Sequence, residues 1–295
     1  MNKTGLSVHT LRELEMDVII WGCRGSITTP GQSTLRYGGN STCLEIVPRE
    51  GGEIIVDAGS GIRLLGKKLV KDQSISELYM ILTHAHWDHL TGFPFFSPAY
   101  FERFKINVYG GPKAQRSLKN YFSHQMNPPF FPIEFDLMKA AFRFGYECPQ
   151  MGSIGLIDFI PVPLSHPNGG YGYKFVKGRK TFVLLTDNEL DYAHPGGLSR
   201  KDYLEFCRDA DLLIHDAQYT DEEYRITRGW GHSTYRSATL LALEAGVKRF
   251  CIFHHDPDRT DDDLDRQLEF CRNLIQKEGS QTECYAAAEG LEIKL

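Results

Sequence analysis

The sequence predicts an α/β fold of two mixed sheets packed face to face with helices outside, on three observations. Short apolar runs recur at strand length, separated by loops rich in glycine, serine and threonine. The first half is strand-heavy, an α+β pattern, whereas the second alternates strands with helical periodicity. The 295 residues are 41% hydrophobic and 24% charged, enough apolar material for a sizeable core between two sheets.

In chain order, Met1 to Met16 reads as a tail or a loose first helix. Asp17 to Trp21 is a buried strand that runs into the loop GCRGSITTPG. A second tight loop, Arg36 to Thr42, precedes the strand Cys43 to Val47. The next strand begins at Glu53 and ends on Asp57, and Gly59-Ser60-Gly61 turns it into a helix over Ile62 to Leu69. Leu78 to Leu82 is a strand, and Ile154 to Pro163 a hairpin or strand pair. Tyr171 to Phe175 and Lys180 to Thr186 are strands around the turn KGRK, and Asp211 to Ile214 and Arg249 to Phe253 are two more. Helices are expected over Ser199 to Arg208, Ser233 to Ala245 and Asp261 to Lys277; Gly246 stops the second.

The region from Phe93 to Tyr146 breaks this rhythm. It holds 15 of the 35 aromatic residues, and its seven Lys/Arg against three Asp/Glu make it net +4. Two readings stay open. It is an aromatic-rich cap at about 93–146, offering ring faces and cations to a ligand, or a helical insertion with its own small core. The chain as a whole, 1–295, reads as one domain carrying this insertion.

Composition excludes several classes. The net charge of −5 offers no basic field for a long nucleic acid. The first seventeen residues have no apolar core of signal-peptide length, and no run approaches the ~18 apolar residues of a membrane span. Seven scattered cysteines without a CxxC pair fit reduced thiols in the cytoplasm and argue against a zinc–thiolate site.

The chemistry is concentrated in Thr83 to His89, THAHWDH, directly after the strand at Leu78 to Leu82. Imidazole and carboxylate are the donors that zinc and similar divalent ions take. In extended backbone His84 and His86 point the same way and can reach one ion. Asp88 and His89 follow a bend and can reach a second ion alongside.

This segment resembles the HxHxDH signature of the metallo-β-lactamase-fold hydrolases, and the family's other motifs occur in order along nearly the whole chain. The resemblance is closest to the phosphodiesterase branch, with the tRNA 3′-processing endonucleases and cyclic-nucleotide phosphodiesterases. It implies a four-layer αββα sandwich and two divalent ions: zinc, or the manganese, iron or cobalt that suit the same donors. It makes His166 the third histidine of the first ion, in preference to the alternative of a turn histidine that caps a carbonyl. Asp187, at a strand end, becomes the bridge between the ions, or else a helix N-cap. One of His254 and His255 completes the second site, and His254 is the choice because it comes first after the apolar run. Asp57 resembles the family's first motif and is expected to orient the histidine loop rather than bind metal.

His232 in GWGHST and Asp216 in IHDAQYT resemble elements of the tRNA-processing enzymes, where an acid and a histidine act near the leaving group. That family carries Glu where Asp216 stands, one methylene longer. Asp88, His232 and Asp216 are thus the expected catalytic groups. Ser233 and Thr234 leave open the reading of His232 as a neighbour of a helix cap. The Asp-rich run Asp256 to Asp265 is read as a helix start rather than a cation site.

The expected substrate is a cyclic nucleotide or similar small phosphodiester. The long arm that tRNA-processing enzymes carry between the third histidine and the bridging aspartate is absent here. Arg24, Arg36 and Lys174 are candidate phosphate contacts, and Tyr171 and Tyr173 candidate mouth residues. The alternatives are hydrolysis of a carboxylic ester, lactone or thioester, a single-stranded RNA or DNA nuclease, and a non-enzymatic nucleotide sensor. No membrane and no stable long nucleic-acid partner are expected; relatives of this kind often form homodimers.

Overall fold

The computed structural model describes residues 16–48, 52–111, 117–145 and 152–295; the expected N-terminal tail lies, except for Met16, outside them. In chain order the first sheet receives β1 (Asp17–Gly22), β2 (Cys43–Val47), β3 (Glu53–Val56), β4 (Glu77–Leu82), β5 (Lys105–Gly110) and β6 (Ala141–Phe144). The second receives β7 (Gly152–Ile154), β8 (Ile157–Pro163), β9 (Tyr171–Lys177), β10 (Lys180–Leu185), β11 (Leu212–Asp216), β12 (Arg249–Phe253) and β13 (Glu283–Ala286). A last strand, β14 (Glu292–Lys294), returns to the edge of the first sheet beside β1. Strand order is β14-β1-β2-β3-β4-β5-β6 in one sheet and β13-β12-β11-β10-β9-β8-β7 in the other.

Side-chain alternation along the strands builds the layers. Ile54 and Val56 of β3 join Phe182 and Leu184 of β10 in the cluster between the sheets. The intervening Ile55 faces outward, with Leu65 and Leu69 of helix α1 (Ile62–Lys71). Val183 and Leu185 likewise face outward, toward a cluster with Tyr203, Leu241 and Cys271. Those come from the helices α3 (Arg200–Cys207), α5 (Tyr235–Glu244) and α6 (Asp261–Lys277); α2 (Leu118–Gln125) and α4 (Asp221–Thr227) complete the described helices. The result is the αββα sandwich, each central strand being apolar on both faces because both are covered.

The 93–144 region proves less foreign than its composition suggests. Its two strands, β5 and β6, extend the first sheet in parallel. Most of its rings pack on each other under that sheet, Phe93 against Phe122 at 3.9 Å between centroids and Phe135 against Phe142 at 4.9 Å. The Asp-rich run does what acids at a helix start do: Thr260 and Asp263 form a capping box on α6, and Asp261, Asp262 and Asp265 hold Arg36. Among the described residues no helix is long and apolar enough to cross a membrane.

The sandwich positions chemistry at one rim. Asp57, His84, Asp187 and His254 stand one or two residues beyond the C-terminal ends of β3, β4, β10 and β12, and Asp216 is the last residue of β11. Asp57, Asp187 and His254 have left-handed backbones, φ 62°, 50° and 57°. Such conformations cost a non-glycine residue about 1–3 kcal/mol each and persist where the surroundings enforce them.

Candidate metal centre

Two donor clusters meet at this rim. His84, His86, His166 and Asp187 form one and Asp88, His89, Asp187 and His254 the other, the donor atoms of each within 4.8 Å of one another. Asp187 divides its carboxylate between them. Its Oδ2 lies 3.7 Å from Nε2 of both His84 and His166, and its Oδ1 lies 3.2 Å from Nε2 of His89 and 3.3 Å from that of His254. Asp88 Oδ2 faces the second cluster, 3.4 Å from His89 Nε2 and 3.2 Å from His254 Nε2, while accepting the Ser26 amide at 2.8 Å.

For four of the five histidines the far ring nitrogen fixes which atom faces inward. His166 Nδ1 can only donate to the Gly231 carbonyl, at 2.9 Å, so its Nε2 carries a lone pair. His254 Nδ1 meets the Gln218 carbonyl oxygen at 3.0 Å, with the same consequence. His89 Nδ1 meets Asp57 Oδ2 at 2.7 Å. Thr83 donates its hydroxyl and its amide to Asp57, both at 2.8 Å, and its oxygen lies 3.1 Å from His84 Nδ1. Asp57 is buried behind the histidines and orients two of them without entering either cluster.

These residues fit a pair of divalent cations. Nε2 of His84 and of His89 are buried without any hydrogen-bond partner. His166 Nε2 and His86 Nδ1 face each other at 3.1 Å. Donors about 2.0–2.2 Å from a tetrahedral ion lie roughly 3.3–3.6 Å apart, close to the spacings here. Burial disfavours the charged ring of His84 and of His166, lowering the latter to about 4, so both stay neutral donors. His255 turns away: its Nε2 donates to the Ala287 carbonyl at 2.8 Å, and burial lowers its pKa to about 3.

Beside the clusters, His232 Nδ1 lies 2.9 Å from Asp216 Oδ2, so the shorter acid still reaches. The His232 ring stands 4.8 Å from that of His254 and 5.2 Å from that of His166. Burial works against its charged form, but Asp216, then Asp187 and Asp88, push it up to about 9. Asp216 Oδ2 also takes the Asn188 amide at 3.2 Å, and Thr234, not Ser233, caps α5.

Glu189 has no counterpart in the motif reading. It is buried and accepts four hydrogen bonds at 2.7 Å: from His194 Nε2, the Tyr224 hydroxyl, and the amides of Gly229 and Gly231. It thereby holds the turn whose Gly231 carbonyl orients His166 and whose next residue is His232. Added carbon at Gly231, φ +98°, would lie 2.1 Å from His166 Nδ1. The only sequence signal was an acid two residues beyond Asp187.

The expected substrate contacts fare differently. Arg24 is buried, and its guanidinium donates to the carbonyls of Gly38, Asp256 and Arg259. Arg36 is held by the acids of α6. Lys174 lies over the Phe206 ring at 4.6 Å, on the outer face of β9. Tyr173 is in the core, its hydroxyl on the Leu82 carbonyl at 2.9 Å. None of these four lines a cavity at the centre; single charges and rings in a sequence do not reveal which way a strand or loop turns them. Tyr171 does line one, a cleft of about 490 Å³ with His84, His86 and Tyr121. Tyr121 belongs to α2, so the aromatic region contributes to the mouth as well as to the core. A second cleft of about 460 Å³ opens on the Asp88 side.

Comparison with known proteins agrees with this geometry. A family described as Beta-lactamase superfamily domain matches residues 53–255. A ribonuclease Z of Sulfolobus acidocaldarius is 27% identical over 241 residues, 71% of this chain and 80% of that protein. One of Brevibacillus brevis is 42% identical over only 66 residues, 22% of this chain and 21% of its own length. A diphosphatase of the PhnP family superposes with TM-score 0.67 at 18% identity, covering 95% of this chain and 97% of that one.

Proposed function

The chain belongs to the β-lactamase superfamily, and on that premise we propose that it falls in the phosphodiesterase and ribonuclease Z-like branch and hydrolyses a small phosphodiester such as a cyclic nucleotide. Two bound cations would supply Lewis acidity to the phosphate oxygens and lower the pKa of a water toward neutrality. The chain's own residues do the rest. His84, His86 and His166 would hold one ion, Asp88, His89 and His254 the other, with Asp187 between them. Asp88, its second oxygen free of the Ser26 amide, orients the attacking water. His232 keeps Nδ1 on Asp216, which leaves Nε2 as the atom that gives a proton to the departing alkoxide.

The single observation that carries this reading is the His232–Asp216 pair at 2.9 Å beside both histidine clusters. A carboxylic ester, lactone or thioester needs the metals alone. A small substrate is supported by the short β9–β10 hairpin between His166 and Asp187 and by the net charge of −5. The second reading is a single-stranded nuclease, favoured by the ribonuclease Z relatives. The deciding experiment is turnover of cyclic nucleotides, short RNAs and bis-p-nitrophenyl phosphate, with zinc, manganese, iron and cobalt measured on the same sample. A metal-loaded protein that leaves all of these diesters intact would overturn the proposal.

A further inference from the structure

We propose that the cleft between Trp87 and Arg63, on the Asp88 side of the centre, is a subsite for a nucleotide arm of the substrate. The base lies against Trp87 and a phosphate beyond the scissile one meets Arg63. This rests on the phosphodiesterase reading and narrows its small substrates to those whose nucleotide arm carries a second phosphate, which a cyclic mononucleotide does not.

The cleft, about 460 Å³, has Asp88 in its wall, so whatever fills it lies against the second donor cluster. His86 and Asp88 both belong to the donor clusters, and the single turn over Trp87–His89 carries Trp87 between them in sequence; its side chain lines this cleft and also a neighbouring one with Tyr121 and His124. Yet the residue is 65% exposed, and the ring packs on no aromatic or cation among the described residues. Folding gains little from an indole left in water; a ligand ring stacked on it gains much.

Arg63 lines the same cleft from the first turn of α1. Its guanidinium makes no ion pair or hydrogen bond among the described residues, unlike those of Arg24 and Arg36. The hydroxyls of Ser26, Thr28 and Thr91 on the cleft wall are likewise without partners among the described residues. Two exposed aromatic side chains, Trp87 and Phe95, one planar cation and the three unpartnered hydroxyls match a planar base and a phosphate dianion. The opposite cleft, with Tyr121 and Tyr171, leaves room for the other arm of a diester.

The test is calorimetric titration of the metal-loaded full chain with adenosine 3′,5′-bisphosphate, adenosine 5′-monophosphate and inorganic phosphate. The bisphosphate is expected to bind at least tenfold more tightly than the monophosphate. Arg63→Gln should erase most of that difference. Trp87→Ala should weaken both nucleotides about tenfold and inorganic phosphate little, and Trp87→Phe, which keeps a ring, should restore most of the loss. Parental affinities in Arg63→Gln and Trp87→Ala, or a Trp87→Phe as weak as Trp87→Ala, overturn the subsite. Bis-p-nitrophenyl phosphate turnover by the unaltered protein separates the two claims. No turnover with variant-sensitive nucleotide binding removes the activity and keeps the subsite; turnover with variant-insensitive binding removes the subsite alone.

Discussion

At the scale of single residues, roles divide between groups that face the centre and groups that aim them. His232→Ala is expected to lower turnover of a phosphodiester by about 10²–10⁴-fold with both metals retained, the usual contribution of a general acid; metal content and kcat measured together check it. Equal loss of metal would instead make His232 a ligand. Glu189 acts at one remove. Glu189→Ala leaves the buried Gly231 amide unpaired, along with the half-buried Gly229 amide and Tyr224 hydroxyl, which costs about 1–3 kcal/mol for each group left dry. It also frees the carbonyl that orients His166, so metal affinity should fall about 10–100-fold, as for other groups behind a ligand. Unchanged metal affinity in a folded variant would confine Glu189 to stability.

At the scale of elements, caps and strand ends carry the argument. Thr260→Ala removes the side-chain cap of α6 and should cost about 1 kcal/mol in denaturant unfolding. The start of β3 supplies a pH effect. Burial, then the nearby Glu45, raises the Glu53 carboxyl to about 7, and its Oε2 has no partner. The folded protein therefore holds this proton between about pH 4.5 and 7 while the unfolded chain releases it, so stability falls as pH rises through that window. Glu53→Gln should flatten that part of the stability profile and raise stability at pH 8 by on the order of 1–2 kcal/mol. A profile unchanged by the substitution would show that Glu53 ionises as freely folded as unfolded.

At the scale of the molecule, the centre ties both sheets together. His84 to His89 belong to the first sheet's rim and His166, Asp187 and His254 to the second's. Chelation should therefore lower the melting temperature of the whole chain in one transition, more at pH 7.5 than at pH 5.5, because protonated ligands release the ions anyway. Separate transitions for two halves would contradict this. A small substrate also predicts a KM that changes little between 50 and 200 mM salt, whereas binding through many phosphates weakens by roughly 10³-fold or more over that range.

Local pattern was enough for much of this protein. THAHWDH follows a strand with ligand spacing, and β2, β12 and α6 begin and end where their apolar runs and caps say, because period and capping are properties of a few neighbouring residues. The strands β13 and β14, only four and three residues long, carry no such signal and exist because a neighbour offers them an edge. The site divides the same way. Donor types and order along the chain are written in sequence, and so is the preference for His254 over His255. The direction of Arg24, Arg36, Lys174 and Tyr173, the placing of Trp87 and Arg63 on one cleft, and the grip of Glu189 on the turn before His232 are not. These depend on how segments far apart in the chain face one another, and only packing of the two sheets decides that.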